Sequence, residues 1–233
     1  MKSLITTLFL FLSASIRSFD DPLPDAKLKD LPIHISLSRI VSDKPMVFFI
    51  TGDGGYTRFD KLFCKELAES GFSVVALDAL KYFWNEKTPE STTVDVEGII
   101  SLYQAKWQKD QVIIIGYSFG ADVLPFVYNR LNKSLQDQIK SMVLMSPAIA
   151  GDFEIHVTDM LNLGGTTKKF DVVSEINKVR KVKILCIYGS EEKAEIKRKT
   201  KNEDLTFVTI TGGHHYDDAY RNLVSAITAH SNK

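Results

Sequence analysis

Ser118 stands between two glycines in Gly116-Tyr117-Ser118-Phe119-Gly120, directly after an apolar run and before a helical pattern. Gly-x-Ser-x-Gly at a strand-to-helix junction lifts a serine hydroxyl above a sheet on a strained turn, where it can attack a carbonyl. Five residues alone are a weak signal, and a plain glycine turn would also satisfy them. The placement between a strand and a helix makes nucleophilic Ser118 the stronger reading.

A serine hydroxyl needs a base. His214 and His215 lie in ITGGHHYDD, after the last apolar run and before the last helical segment. The chain order serine, acid, histidine puts a base there. Gly212-Gly213 supply a tight loop, and adjacent side chains diverge, so one of the two histidines serves. The His-x-aromatic pattern favours His214, with Tyr216 packing below it, and His215 stays as the alternative. His156 and His230 fit the order less well. The acid is expected after the penultimate strand, in ILCIYGSEEKAE, where Gly-x-x-acid spacing from Gly189 selects Glu192. A carboxylate there would hold the imidazole tautomer and stabilise the imidazolium. Glu-Glu-Lys is also a common solvated helix start, so Asp152 and Glu154, after the preceding strand, remain alternatives.

An oxyanion needs two N–H donors. Phe119, following the serine, offers one; Asp53 in ITGDGGY offers the other, with Gly52 allowing the approach. That glycine-rich loop lacks the Gly-Lys-Ser/Thr of a phosphate cradle. A carboxylate beside an oxyanion would repel it unless it meets a cation, so Asp53 hints at a substrate bearing an amine. Asp122, one turn into the next helix, would extend this acidic corner or interact only with its helix N-terminus. Tyr82, in Lys81-Tyr82-Phe83-Trp84 at the same sheet edge, lines an acyl- or lipid-facing pocket or belongs to the core.

These side chains need a frame that gathers distant loops. MVFFI (46–50), SVVAL (73–77), VIIIG (112–116), MVLMS (142–146), ILCIY (184–188) and LTFVTI (205–210) are short continuous apolar runs, the mark of strands buried on both faces. Helical patterns separate them. Residues 58–70 carry Phe59, Leu62, Phe63 and Leu67 and end at Gly71; Thr88-Pro89 opens a second helix as N-cap and first position; 119–131 and 217–229 are two more. Strand–helix alternation predicts one doubly wound α/β domain with a mostly parallel sheet and helices on both faces. IHISLSRIV alternates Ile33, Ile35 and Leu37 with polar residues, a half-buried edge strand that turns His34 to solvent. The irregular stretch 152–180 is short for a lid, so no large lid and an open, shallow site are expected.

The 233 residues are 25% charged with zero formal net charge, so no basic field points to nucleic acid. Residues 1–19 differ from the rest: Lys2, an apolar stretch Leu4–Leu12, then small residues. This layout reads as a secretory signal peptide, too short to span a bilayer, with cleavage after either of two small-residue sites. Its removal takes Lys2 and Arg17, leaving 27 basic against 29 acidic residues in a periplasmic domain 20–233 that does not span the membrane. Cys64 and Cys186 are expected as free buried thiols; no metal spacing is present and no cofactor is called for.

ITGDGGY, LDALKYFW, TPE, GYSFGADVLPFVYNRL, SPAIAGDFEIHV, CIYGSEE and GGHHYDDAY occur in the order and spacing of the bacterial virulence protein family VirJ/AcvB, over about residues 45–225. The chain resembles that family, which implies a periplasmic α/β-hydrolase fold. Longer members, with an additional N-terminal domain, are associated with removing lysine from lysyl-phosphatidylglycerol; shorter members are associated with type IV secretion and virulence. The resemblance implies Ser118 as nucleophile, His214 or His215 as base, and a functional role for DFEIH (152–156). SPAIAGDFEIHV carries one residue more before DFEIH than the family pattern. The leading expectation is an exported serine ester hydrolase, narrowed by the resemblance to an aminoacyl phospholipid at the membrane surface. The alternatives are a non-catalytic periplasmic partner of secretion-system proteins and a general carboxylesterase or thioesterase.

Overall fold

A computed structural model describes residues 28–155 and 168–232. The expected signal segment, its cleavage site and His156 lie outside the described residues. The strands are β1 (Ile33–Ser36), β2 (Met46–Ile50), β3 (Val74–Leu77), β4 (Val112–Tyr117), β5 (Ile139–Met145), β6 (Ala150–Gly151), β7 (Phe170–Asp171), β8 (Lys183–Gly189) and β9 (Leu205–Ile210). The helices are α1 (Arg58–Glu69), α2 (Ala79–Tyr82), α3 (Pro89–Trp107), α4 (Phe119–Arg130), α5 (Lys133–Gln136), α6 (Val172–Ile176), α7 (Ile196–Lys199) and α8 (Tyr220–Ser231).

Seven strands form one sheet in the order β1-β3-β2-β4-β5-β8-β9. Edge strand β1 runs antiparallel to β3, and every other pairing is parallel. β6 and β7 pair separately. The chain leaves β2 for β3 on one side and returns to β4 on the other. This reversal opens a crevice at the carboxyl ends of β2 and β4, where open α/β sheets bind ligands.

The uninterrupted apolar runs follow from burial on both faces. Successive strand residues point to opposite sides, so Phe49, Ile113, Ile115 and Met145 pack beneath Phe63 and Leu67 of α1 and Leu223 and Ile227 of α8. Phe48, Ile50, Ile114 and Leu144 pack on the other side beneath Ile99 of α3, Leu124 of α4 and Ile176 of α6. Cys64 and Cys186 are buried and free; they belong to opposite faces of the sheet, which keeps them from pairing. Thr88 caps α3: its Oγ1 accepts from Ser91 N–H at 3.0 Å, and Pro89 takes the first helical position.

Two expectations need correction. The last helix begins at Tyr220 rather than 217, because Tyr216–Asp218 form a 3-10 turn. In β1 the half-buried ring is His34, stacked on Tyr56 with centroids 3.9 Å apart, while Ile35 is 41% exposed. An edge strand has a neighbour on one side only, so its alternation constrains the faces weakly.

Phe49 is fully buried and meets Phe63 edge-on at 5.5 Å. Phe49→Ala should lower unfolding free energy by about 3–5 kcal/mol. Val94→Ala, at a residue 63% exposed, should stay within about 0.5 kcal/mol. Urea midpoints of the two variants against the parent protein measure both.

Candidate active site

β4 ends and α4 begins at Ser118, whose φ of 51° and ψ of −116° lie outside the helical and extended regions. The turn is this tight because backbones touch. A Cβ on Gly116 would lie 2.3 Å from the Gly120 carbonyl oxygen, and one on Gly120 would lie 2.2 Å from that of Ile50. No side chain fits at either position. Ser118 N–H donates to Met145 O at 2.8 Å, tying the turn to β5, and Ser118 O accepts from Ala121 and Asp122 N–H. The hydroxyl is thereby raised above the carboxyl edge of the sheet.

His214 reaches it from the loop after β9. His214 Nε2 is 2.9 Å from Ser118 Oγ, and His214 Nδ1 is 2.7 Å from Glu192 Oε1. Tyr117 OH donates to the His214 carbonyl at 3.1 Å, anchoring the loop to β4. His215 points elsewhere: its ring meets Phe59 edge-on at 5.9 Å. The geometry therefore separates the two histidines. Glu192 follows β8, and its second oxygen, Oε2, accepts from Gly189 N–H at 2.7 Å and Ser146 Oγ at 2.6 Å. Burial alone would raise the Glu192 pKa, but donors from His214, Ser146 and Gly189 outweigh it and hold the carboxyl below its ordinary value.

The two expected oxyanion donors belong to the residue after the serine and to the loop after β2. Phe119 is the first residue of α4, and the first four N–H groups of a helix have no intrahelical acceptor. The turn carrying Asp53 is closed by Gly55 N–H donating to Gly52 O at 3.0 Å. A Cβ on Gly52 would lie 3.5 Å from Ser118 Cβ, which measures how near this loop runs. The Asp53 residue itself is exposed, and the His214 side chain is 43% exposed, so the site is open on that side. The middle of the irregular stretch, 156–167, lies outside the described residues.

Other expected site residues are elsewhere. Tyr82 is core: it is buried, and its hydroxyl donates to Asp95 at 2.7 Å, so it does not line a substrate pocket. Asp122 is buried beneath the site, with Oδ1 accepting from Ala148 N–H at 2.6 Å. Burial pushes its carboxyl up to about 7, against the opposing Ala148 N–H and Lys168. It ties the loop after β5 to α4 and offers no surface to a ligand. Asp152 Oδ1 accepts from Phe153 N–H at 2.8 Å, and the His214 Nδ1 position is taken by Glu192, so neither Asp152 nor Glu154 partners the histidine. Of the DFEIH segment, the described Phe153 and Ile155 pack into the core and bond along residues 83–87. Ser146 was not legible as a site residue, since nothing in MVLMSP marks its contact with a glutamate 46 positions away.

The lowered Glu192 pKa stabilises the fold above the ordinary glutamate value of 4.5 and is lost as pH falls through the depressed folded value. Glu192→Gln should therefore be less stable than the parent at pH 7. The gap should narrow as pH drops below about 4.5, as read from urea midpoints at each pH.

The fold is that of α/β-hydrolases. Est1E from Butyrivibrio proteoclasticus superposes with a TM-score of 0.60 at 15% identity, covering 86% of this chain and 94% of that one. A lipase-esterase related protein from Clostridium acetobutylicum ATCC 824 gives 0.59 at 15%, covering 85% and 99%. The esterase domain of a Rhodothermus marinus protein gives 0.59 at 11%, covering 85% and 91%. At such identities the likeness carries the fold alone. No curated protein sequence matches the chain. Residues 44–233 match the family described as bacterial virulence protein (VirJ), and the chain belongs to that family.

Proposed function

We propose that this VirJ-family protein is a serine hydrolase that cleaves a carboxylic ester. The observation that carries the reading is the hydrogen-bonded row Ser118 Oγ, His214 Nε2, His214 Nδ1, Glu192 Oε1, at 2.9 and 2.7 Å. In the proposed reaction Ser118 Oγ attacks the ester carbonyl while His214 Nε2 takes its proton. The oxyanion is held by the N–H groups of Phe119 and Asp53, and Glu192 stabilises the imidazolium. His214 then gives the proton to the departing alkoxide, leaving an acyl-serine. Water, deprotonated by His214, cleaves that acyl group and restores Ser118.

The substrate in this reading has a cationic acyl group, because the exposed Asp53 directly follows Gly52, which runs beside Ser118. An aminoacyl ester such as lysyl-phosphatidylglycerol has an ammonium group for Asp53, and it is the substrate class that the family resemblance implies. The composition of residues 1–19 supports action in the periplasm. No helix among the described residues is long and apolar enough to cross a membrane, so this enzyme would meet the lipid from its surface.

The test uses protein purified from residue 20 onward and vesicles containing lysyl-phosphatidylglycerol, with free lysine and phosphatidylglycerol followed by mass spectrometry. Lysine release by the parent and none by Ser118→Ala is expected, together with fluorophosphonate labelling of the parent alone. Absence of labelling, beside a control hydrolase that reacts, would replace the enzyme by a non-catalytic partner of a secretion apparatus. Labelling with turnover of simple nitrophenyl esters and none of the lipid would make it a general carboxylesterase or thioesterase.

Asp53 is exposed, so its pairing with a substrate ammonium is worth only about 0.2–1 kcal/mol. Asp53→Asn should lower kcat/KM for a cationic aminoacyl ester by roughly 1.4- to fivefold and leave that for its neutral analogue unchanged. An unaltered ratio between the two esters would remove the amine from the substrate.

A further inference from the structure

We propose that Ser146 and Tyr216 form a two-hydroxyl relay that aims and holds Glu192, which makes them positioning residues of the reaction; this rests on the serine-hydrolase reading above. Ser146 directly follows β5, and Tyr216 lies two residues beyond His214. Ser146 Oγ is 2.6 Å from Glu192 Oε2 and 2.6 Å from Tyr216 OH, and Tyr216 OH is 3.2 Å from Ile187 O. Both residues are buried.

Counting protons gives the relay a direction. Serine and tyrosine hydroxyls carry one hydrogen each, and an ionised carboxylate only accepts. With Glu192 ionised, the Ser146 hydrogen goes to Oε2, so the Tyr216 hydrogen goes to Ser146 Oγ. In the reverse arrangement Ser146 donates to Tyr216 and Tyr216 to Ile187 O, across the longer contact. Glu192 then keeps only Gly189 N–H on that oxygen. The first arrangement belongs to the charged carboxylate and the second to the protonated one.

Backbone conformation points the same way. Ser146 has φ of 52° and Tyr216 has φ of 54°, the left-handed region that glycine fills at no steric cost. A serine there, donating its N–H to Ile187 O at 2.8 Å, keeps a hydroxyl that glycine would lack. Strained positions of this sort persist where the surrounding structure holds them, and they cluster at functional sites. Because Tyr216 belongs to the histidine loop and Glu192 to the loop after β8, the relay also locks the base and its acid in one relative position.

Among the described residues the cluster has these titratable neighbours, together with the Cys186 thiol, which burial also pushes up and keeps neutral. Burial pushes the phenols of Tyr117 from β4, Tyr188 from β8 and Tyr216 above their ordinary range, so they stay neutral. Asp122, raised to about 7, faces His214 from α4. Its contribution is common to parent and variants and cancels in their difference, leaving His214 and Glu192.

Ser146→Gly tests the relay, since glycine accepts the backbone angle and removes the hydroxymethyl side chain with its donor. Expected is a roughly ten- to hundredfold loss of kcat, the effect of one hydrogen bond to a charged group, with KM within about twofold. The carboxyl titration of Glu192, read by NMR, should move to higher pH, because Glu192 loses a donor and protonates earlier. Tyr216→Phe should lose less, and Ser146→Cys, with a weak donor of similar shape, should recover part of the kcat. If Ser146→Gly fails to fold by circular dichroism, Ser146→Cys and Tyr216→Phe carry the same comparison. Parent kcat and an unmoved Glu192 titration in the folded variants would overturn the relay. An activity-free readout separates the two readings: the NMR titration of the His214 ring, identified with His214→Gln. If its acid inflection, which reports Glu192, moves upward in Ser146→Gly while the parent cleaves no ester, the relay stands and the hydrolase reading falls. An unmoved inflection in an active enzyme sinks the relay alone.

Discussion

The backbone of Gly120 rests on the carbonyl of Ile50, and the backbone of Gly116 rests on Gly120. This double contact lets β4 hand the chain to α4 within a single residue. The same contact brings the loop after β2 alongside, so that Gly52 borders the serine. It lies where the strand order reverses, and β5, β8 and β9 send their loops to the same edge.

Once gathered there, the acidic groups are sorted by their donors. Glu192 and Asp122 both pay desolvation, yet their pKa values move in opposite directions. Glu192 has His214, Ser146 and Gly189 as donors, and its carboxyl falls below the ordinary value. Asp122 has, among the described residues, the N–H of Ala148 as its hydrogen-bond donor and is buried, so burial wins and its carboxyl rises to about 7. Burial penalises charge in both places, and the number of hydrogen bonds to the charged form decides the outcome. The arrangement gives one carboxylate suited to partnering an imidazole and another suited to tying the loop after β5 to α4.

The sheet and its helices were legible because their signals are local. Continuous apolar runs between helical patterns reflect burial on both faces, and the Thr88-Pro89 cap depends on residues within one turn. Ser118 was marked by its glycines, which answer a steric demand of the turn itself. The faces of β1 were misread since an edge strand is held from one side only, and Tyr82 was ambiguous because an aromatic residue in a loop fits a pocket or a core equally well. Its partner Asp95, 13 positions on, settles it in the core.

By itself the sequence determined the fold class, the position of the strained serine and the loops in which a base and an acid could lie. Each of these follows from periodicity, glycine placement and chain order, which act over a few residues. The tertiary structure alone decided that His214 rather than His215 faces Ser118, that Glu192 rather than Asp152 or Glu154 meets the imidazole, and that Ser146 supports it. Those contacts join residues 22 to 96 positions apart. Hydrogen bonds act over about 3 Å, so their partners are set by where separate loops come together in space.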